Sequence, residues 1–275
     1  MGTELAARGV PTPPPGWSAY ALEHAGETVA QIHRDYVAAG ATVHTANTFR
    51  TKRRTLGARW ERAALRALDL ARAVLPQGHR LAGSIAPLED CYCPEKSPSE
   101  PRPEHRELAR LLAREGVELL LCETFAHPGE ALIAVEEAVA TGVETWVALT
   151  AGPAGNLLSP AALRAAAEAC AAAGASACLV NCVAASRTLP FVHALCDLGV
   201  PIGVYANAGE PEELVGWQHR GDRLAAARYL ELARQWLGAG VTIVGGCCGT
   251  GPLHIEALAR ALGPKQGSSP PSCDR

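Results

Sequence analysis

The residues of this sequence best suited to chemistry are two adjacent cysteines between glycines. The segment Gly245-Gly246-Cys247-Cys248-Gly249 follows directly after the apolar, strand-like run 241–244. Adjacent side chains on a regular strand point to opposite faces, but flanking glycines let the backbone leave strand geometry. Both sulfur atoms can then turn to the same side. The pattern therefore indicates a pair of ligands for a soft metal ion.

A third cysteine completes the pattern of a catalytic zinc site. Cys182 ends the predicted strand 177–182 and is the best candidate for a partner of Cys247 and Cys248. Three protein ligands with one open position are typical of catalytic zinc, with Zn–S distances of about 2.3 Å. A substrate thiol has a pKa near 8.5, and binding to zinc deprotonates it. We therefore predict a site for Zn²⁺ that activates a thiol to attack an electrophilic methyl group.

Other interpretations of the cysteines remain open at this point. Cys247 and Cys248 could form an incidental buried pair or a strained vicinal disulfide, and Cys182 alone could fill the core. Cys91 and Cys93 could form a separate metal pair, but no histidine pattern accompanies them, so we interpret them as part of a plain loop.

Composition excludes several classes of function. The chain has 275 residues and a formal net charge of −3, with no basic block that predicts a nucleic-acid partner. The basic segment Arg50-Thr51-Lys52-Arg53-Arg54 is interpreted as a solvated loop that leads into a helix. No apolar run is long enough to span a membrane, and no signal peptide is recognisable. We expect a cytoplasmic protein with reduced cysteines.

Apolar, β-branched runs alternate with amphipathic, alanine-rich runs, which predicts βα units and a parallel sheet. The predicted strands are 42–48, 80–86, 118–123, 145–150, 177–182, 201–206 and 241–246. The predicted helices are 27–39, 57–75, 104–115, 129–141, 160–173, 188–198, 222–238 and 252–262. We predict an α/β protein with a (β/α)8 TIM-type barrel, its first strand apparently truncated by a start assigned too late.

We expect one domain over residues 1–263 and a disordered tail over 264–275, which is rich in Pro, Gly and Ser. Functional groups of β/α barrels gather at the carboxyl ends of the strands. Polar residues recur at the predicted strand ends, namely Asn47, Thr48, Ser84, Glu123, Thr124, Asn181, Cys182, Asn207, Cys247 and Cys248. This regularity predicts the site at that face of the barrel.

Short segments along nearly the whole chain, residues 2–262, carry a family resemblance. They are Gly2-Thr3-Glu4-Leu5, Ile32-His33-Arg34-Asp35-Tyr36, Thr45-Ala46-Asn47-Thr48-Phe49, Ala82-Gly83-Ser84-Ile85-Ala86-Pro87, Glu123-Thr124-Phe125, Val180-Asn181-Cys182, Tyr205-Ala206-Asn207-Ala208-Gly209 and Gly245-Gly246-Cys247-Cys248-Gly249. With them the sequence resembles the homocysteine S-methyltransferase family. That family includes betaine- and S-methylmethionine-dependent enzymes and the homocysteine module of cobalamin-dependent methionine synthase. The combination of Asn181-Cys182 with the paired cysteines is its most specific feature.

The resemblance implies a role for each matched residue. Zinc would be held by Cys182, Cys247 and Cys248, with the sulfur of homocysteine as fourth ligand. Glu123 would bind the substrate ammonium, although a salt bridge to a neighbouring arginine is an alternative. Gly2 and Thr3 would form a backbone turn next to the substrate amino acid, and Asn207 would support the zinc, support the substrate or cap its strand. The Asp-Gly that usually precedes the first of these segments is absent.

The predicted reaction is transfer of a methyl group to the thiol of homocysteine, giving methionine. We expect S-methylmethionine or S-adenosylmethionine as donor, with betaine or a methylated corrinoid protein as alternatives. Four loop aromatics could face a cationic donor, namely Trp17, Tyr20, Tyr92 and Trp217. Two other functions remain open: methylation of another thiol or selenol such as selenocysteine, and a zinc-binding paralogue without activity. The oligomeric state is left open.

Overall fold

The alternating apolar runs form seven parallel strands. The computed structural model describes residues 1–263, and the predicted tail over 264–275 lies outside the described residues. The strands are β1 (Val43–Thr45), β2 (Arg80–Ile85), β3 (Leu119–Phe125), β4 (Thr145–Leu149), β5 (Ala177–Ala184), β6 (Ile202–Asn207) and β7 (Ile243–Gly246). They form one sheet in chain order, and each neighbouring pair is parallel.

Helices connect the strands and cover the sheet. They are α1 (Gly2–Ala7), α2 (Tyr20–His24), α3 (Gly26–Ala38), α4 (Arg53–Leu56), α5 (Trp60–Arg72), α6 (Arg102–Arg114), α7 (Pro128–Val139), α8 (Pro160–Ala172), α9 (Leu189–Leu195), α10 (Arg223–Gly238) and α11 (Pro252–Leu262). Proline occupies the first turn of α7, α8 and α11, where its missing N–H leaves no hydrogen bond unmade.

Two apolar layers lie on either side of the sheet. The inner layer contains Leu119, Leu121 and Trp146 from neighbouring strands, and the outer layer packs the helices against the opposite strand faces. Cys122, Cys170 and Cys178 belong to the outer layer. This strand order and layering confirm the α/β fold of TIM-barrel type. Within residues 1–263, no ladder pairs β7 with β1.

Three short helices were not predicted. Helices α1, α2 and α4 contain six, five and four residues, which is too short for a 3.6-residue apolar period to show. The prediction that Gly2 and Thr3 form a backbone turn is therefore wrong, because both belong to α1.

The interpretation of segment 50–54 as a solvated loop is also wrong in part. Lys52 is 2% exposed, and its ammonium donates to the carbonyl oxygens of Ala86 and Pro87. The side chains of Arg53 and Arg54 pair with glutamates of the neighbouring elements. Among the described helices, none combines the length and apolarity needed to cross a membrane.

Candidate active site

Three cysteine sulfurs meet at the carboxyl ends of β5 and β7. The Sγ atoms of Cys182, Cys247 and Cys248 all lie within 4.8 Å of one another, and no other such group of potential metal ligands occurs over residues 1–263. The Sγ atoms of Cys182 and Cys247 are in direct contact, with their Cα atoms 5.8 Å apart, and Cys248 lies beside them. Cys182 is buried, whereas the other two are half-buried.

A bulge in β5 turns Cys182 toward this cluster. Cys182 has φ of +52°, and the register with β6 shifts between Asn181 and Ala184. A second bulge occurs in β3, where Thr124 has φ of +66°. A buried hydrogen bond of 2.7 Å from Asn181 Nδ2 to Thr124 Oγ1 connects the two. Bulges re-aim side chains and are frequent beside functional sites.

The turn after β7 presents the other two cysteines. Strand β7 ends at Gly246, where a Cβ atom would lie 2.3 Å from Thr250 Oγ1, so only glycine fits. The amide of Cys247 donates to the carbonyl of Ala206 at 2.8 Å, and the hydroxyl of Thr250 donates to the carbonyl of Cys247 at 2.8 Å. The backbone of Cys247 is thus held to β6 and within its own turn.

Glu123 is a buried carboxylate at the end of β3. Its oxygens accept hydrogen bonds from the hydroxyl of Ser84 and from the hydroxyl of Tyr205, the latter at 3.0 Å. Burial raises the pKa of Glu123, and the two hydroxyl donors oppose that rise. In residues 1–263 no arginine forms a salt bridge with Glu123, so that alternative is excluded.

Asn207, at the end of β6, lies beside the cluster. Its Nδ2 donates to the carbonyl of Cys182 at 3.0 Å, and its Oδ1 accepts the amide of Gly209 at 2.8 Å. Both contacts are to backbone groups, so Asn207 fixes the ends of β5 and β6 relative to each other.

Thr3 and Gly2 approach the same face from α1. The amide of Gly249 donates to Thr3 Oγ1 at 3.4 Å. A Cβ atom at Gly2 would lie 2.1 Å from the ring of Trp17, so the indole packs on the Gly2 backbone. The structure therefore brings Thr3 to the cysteine turn and leaves Gly2 beneath an aromatic ring.

Tyr205 is the site residue that sequence reasoning missed. It alternates along β6 with Val204 and Ala206, both of the outer layer, and that alternation places its ring on the inner face. The alternation was therefore a usable signal. Of the aromatics predicted to lie in loops, Tyr20 instead begins α2, where its ring centroid lies 4.1 Å from that of His24, and Trp17 packs edge-to-face on Phe49 at 5.9 Å.

Cys91 and Tyr92 lie in the loop after β2. Burial raises the pKa of Cys91 to about 12, and burial followed by the charge of Cys248 raises the pKa of Tyr92. Neither Cys91 nor Cys93 joins a group of metal ligands in the part of the chain that the structure describes. Both are free cysteines, and both lie outside the helices and strands given above.

A β/α barrel with a cluster of three sulfurs and a buried carboxylate at its carboxyl face defines an enzyme of thiol chemistry. The sequence model of the family "Homocysteine S-methyltransferase" matches residues 1–262. The chain therefore belongs to the homocysteine S-methyltransferase family, and the predicted enzyme class is confirmed.

Individual relatives agree over most of their length. The chain is 31% identical to the homocysteine S-methyltransferase of Escherichia coli, over 94% of this chain and 92% of the relative. It is 28% identical to the S-methylmethionine–homocysteine S-methyltransferase of Pongo abelii, over 94% and 76%. The metallated crystal structure of the Escherichia coli homocysteine methyltransferase MmuM superposes with a TM-score of 0.77 at 25% identity, covering 95% of this chain and 93% of that one.

Proposed function

We propose that the protein transfers a methyl group from a sulfonium donor to the thiol of homocysteine, giving methionine, at a zinc ion held by Cys182, Cys247 and Cys248. The observation that carries this proposal is the meeting of three cysteine sulfurs within 4.8 Å on the same barrel face as a buried carboxylate. The similarity to a metallated homocysteine methyltransferase supports it.

The donor set fits zinc by its chemistry. Three thiolates leave one coordination position for a substrate, which is the catalytic arrangement for this metal. Only thiolates bind zinc, so all three cysteines must be reduced and deprotonated when the ion is bound. The proposal therefore places the protein in a reducing compartment such as the cytoplasm.

Glu123 is proposed to bind the ammonium group of homocysteine. Its carboxylate is buried and held by two neutral hydroxyls, so a cationic substrate group supplies the counter-charge that burial makes favourable. Ser84 and Tyr205 orient the carboxylate, because each donates to a different oxygen. Asn207 and Thr3 act on the backbone of the cysteine-bearing segments.

The methyl transfer requires no further cofactor, because the donor and the acceptor together account for the bond that forms and the bond that breaks. The homocysteine thiol loses its proton to solvent, and a sulfur lone pair forms the new S–CH₃ bond. The bond between the methyl carbon and the donor sulfonium breaks at the same time, and its electron pair leaves a neutral thioether. Zinc supplies the lowered pKa of the substrate thiol, which keeps it as a thiolate at neutral pH.

S-methylmethionine and S-adenosylmethionine are the favoured donors. Both carry a sulfonium, and the name of the Pongo abelii relative specifies S-methylmethionine. Betaine and a methylated corrinoid protein are the alternative donors, and selenocysteine is an alternative acceptor. Each is tested as a separate arm of the experiment below.

The test measures metal and turnover on the same protein. Purified reduced protein is analysed for zinc and then incubated with homocysteine and each donor in turn, with methionine formation as the readout. Cys247→Ala removes a proposed ligand, and Cys93→Ala is the matched control, since Cys93 lies outside the cluster.

We expect about one zinc per chain, turnover with a sulfonium donor, and loss of both in Cys247→Ala but not in Cys93→Ala. Zinc with turnover only on betaine or a methylated corrinoid protein would reassign the donor. Zinc with turnover on selenocysteine but not on homocysteine would reassign the acceptor. Zinc without any turnover would favour a zinc-binding paralogue without activity. Reduced protein without zinc would overturn the proposal.

A further inference from the structure

The indole of Trp217 lies against the turn that carries Cys247 and Cys248. Its backbone amide donates to the carbonyl of Gly249 at 2.6 Å, and its Nε1 donates to the carbonyl of Gly209 at 2.6 Å. The backbone of Trp217 has φ of +55°, a conformation that a bulky residue adopts only when its surroundings compensate. In this protein, the two short hydrogen bonds and the packing of the ring stabilise that backbone conformation.

Close packing leaves room for nothing larger than glycine between the ring and the turn. A Cβ atom at Gly249 would lie 2.7 Å from Trp217 Cδ2, and one at Gly216 would lie 2.3 Å from the carbonyl oxygen of Gly249. The segment that carries Trp217 therefore rests directly on the backbone that follows Cys248. A second contact reinforces this, because the amide of Ala208 donates to the carbonyl of Cys248 at 2.9 Å.

These contacts continue to the third sulfur. Gly209, which accepts from the indole of Trp217, donates its own amide to Asn207 Oδ1. Asn207 in turn donates to the carbonyl of Cys182. A continuous hydrogen-bonded path therefore joins the backbone at Cys182 to the backbone at Gly249, and it passes through Asn207 and Trp217.

We propose that Trp217 is a positioning residue that fixes the spacing between Cys182 and the Cys247–Cys248 turn, and thereby sets the affinity of the site for its metal. The proposal rests on the proposed zinc function. It also gives Trp217, which was a candidate for facing a cationic donor, a structural role, because its indole N–H and the Cδ2–Cε2 bond of its ring lie against backbone. Groups that orient metal ligands typically change metal affinity 10- to 100-fold when they are removed.

The test measures zinc affinity in three variants of the full chain. Reduced, metal-free protein competes with a chromophoric chelator for zinc, and circular dichroism verifies the fold. Trp217→Ala removes the packing of the ring on Gly249 and the indole hydrogen bond to Gly209 but keeps the backbone hydrogen bond to Gly249, whereas Trp217→Phe keeps most of the packing and loses the indole N–H. Gln218→Ala, an exposed neighbour in the same turn, is the matched control.

We expect Trp217→Ala to weaken zinc binding about 10- to 100-fold, Trp217→Phe to lose less than Trp217→Ala, and Gln218→Ala to bind as the wild type does. A wild-type dissociation constant in folded Trp217→Ala would overturn the proposal. If Trp217→Ala does not fold, Trp217→Phe decides: unchanged affinity in that variant would count against the role of the indole N–H.

A second measurement separates this inference from the zinc proposal. Metal-free, reduced protein is labelled with iodoacetamide, and the rate at Cys248 is read by peptide mass mapping, with Cys93 as internal reference. Release of the turn in Trp217→Ala should raise labelling of Cys248 several-fold relative to Cys93. If the wild-type protein binds no zinc but Cys248 is still labelled faster in Trp217→Ala, the proposed function is overturned and the positioning role is sustained. Equal labelling rates in the wild type and in Trp217→Ala would refute that role.

Discussion

At the scale of single residues, Glu123 combines burial with the absence of an arginine or lysine salt bridge in the described residues. Burial raises its pKa, so the carboxylate protonates at a higher pH than an exposed carboxyl group does. A protonated Glu123 has no charge with which to hold an ammonium group. On the proposed function, the residue therefore links substrate affinity to pH.

We expect Glu123→Gln to raise the KM for homocysteine at least tenfold and to leave zinc content unchanged, because the loss concerns the ammonium and not the sulfur cluster. Steady-state kinetics and metal analysis measure the two quantities. In the wild type, kcat/KM for homocysteine should fall as the pH falls through the raised pKa, and that limb should disappear in the variant. Glu100→Gln, at an exposed carboxylate, serves as control. Loss of zinc in Glu123→Gln would contradict this division of roles.

Lys52 is another buried side chain that can carry a charge. Burial, followed by the charge of Arg50, lowers the pKa of Lys52 to about 7 from 10.5. The unfolded chain binds the proton up to about pH 10.5, so the folded state is penalised in full below pH 7. The penalty is relieved as the pH rises from 7 to 10.5.

Lys52→Met removes this penalty together with the hydrogen bonds to Ala86 and Pro87. The free energy of unfolding of the variant, relative to wild type, should therefore decline by a few kcal/mol between pH 7 and pH 10.5, since one pKa unit corresponds to about 1.4 kcal/mol. Urea unfolding at both pH values measures it, with the exposed Lys96→Met as control. A difference that is constant with pH would show that Lys52 keeps its ordinary pKa.

At the scale of elements, α3 packs on β1 through histidines. His33 of α3 lies 6.4 Å from the ring of His44 in β1, and His44 Nε2 lies 3.0 Å from His79 Nδ1. Burial, then the charge of His44 and then the α-ammonium group lower the pKa of His33 to about 4. Neutral His33 is therefore favoured in the folded state. Its contribution to stability is complete above pH 6.5 and is lost as the pH falls toward 4.

His33→Leu should make the fold less sensitive to acid. The substitution removes one buried group that can take up a proton. It also removes an Nε2 atom that has no hydrogen-bond partner. We expect the urea midpoint of the variant to exceed that of wild type at pH 4.5 by more than it does at pH 7. His193→Leu, at an exposed position of α9, should show no such difference. Parallel acid sensitivity in wild type and His33→Leu would argue that other groups dominate.

The presence of the helices and strands could be predicted from the sequence more readily than their local backbone geometry. All seven strands and the long helices were predicted, because apolar periodicity determines them. The bulges at Thr124 and Cys182 were not, because a positive φ in a non-glycine residue depends on tertiary contacts such as the Asn181–Thr124 hydrogen bond. The cysteine cluster could be predicted from spacing and glycine context, whereas the partners of Glu123 required the sheet to place Tyr205.

At the scale of the whole molecule, the sheet has two edges within residues 1–263. Strands β2 to β6 have a neighbour on each side, whereas β1 and β7 have one each. The residues of β7 are half-buried, whereas those of β4 are buried throughout. The amide groups of an edge strand are opened by smaller fluctuations than those of a central strand.

Hydrogen exchange followed by mass spectrometry should therefore show a gradient across the sheet. We expect amides of β1 and β7 to exchange at least tenfold faster than those of β4. Zinc should slow exchange in the turn after β7 and leave β4 unchanged. Equal protection of β7 and β4 in the metal-free protein would show that the edge is covered in solution.

The hydrogen bond between Thr124 and Asn181 has a further consequence. Each partner is the immediate neighbour of a proposed recognition group: Thr124 follows Glu123, and Asn181 precedes Cys182. The bond therefore fixes the position of the Glu123 carboxylate relative to the cysteine cluster. A substrate that contacts both must have a matching number of methylene groups between its ammonium and its thiol. On the proposed function this spacing favours acceptors of one length, and cysteine has one methylene group fewer than homocysteine between its ammonium and its thiol.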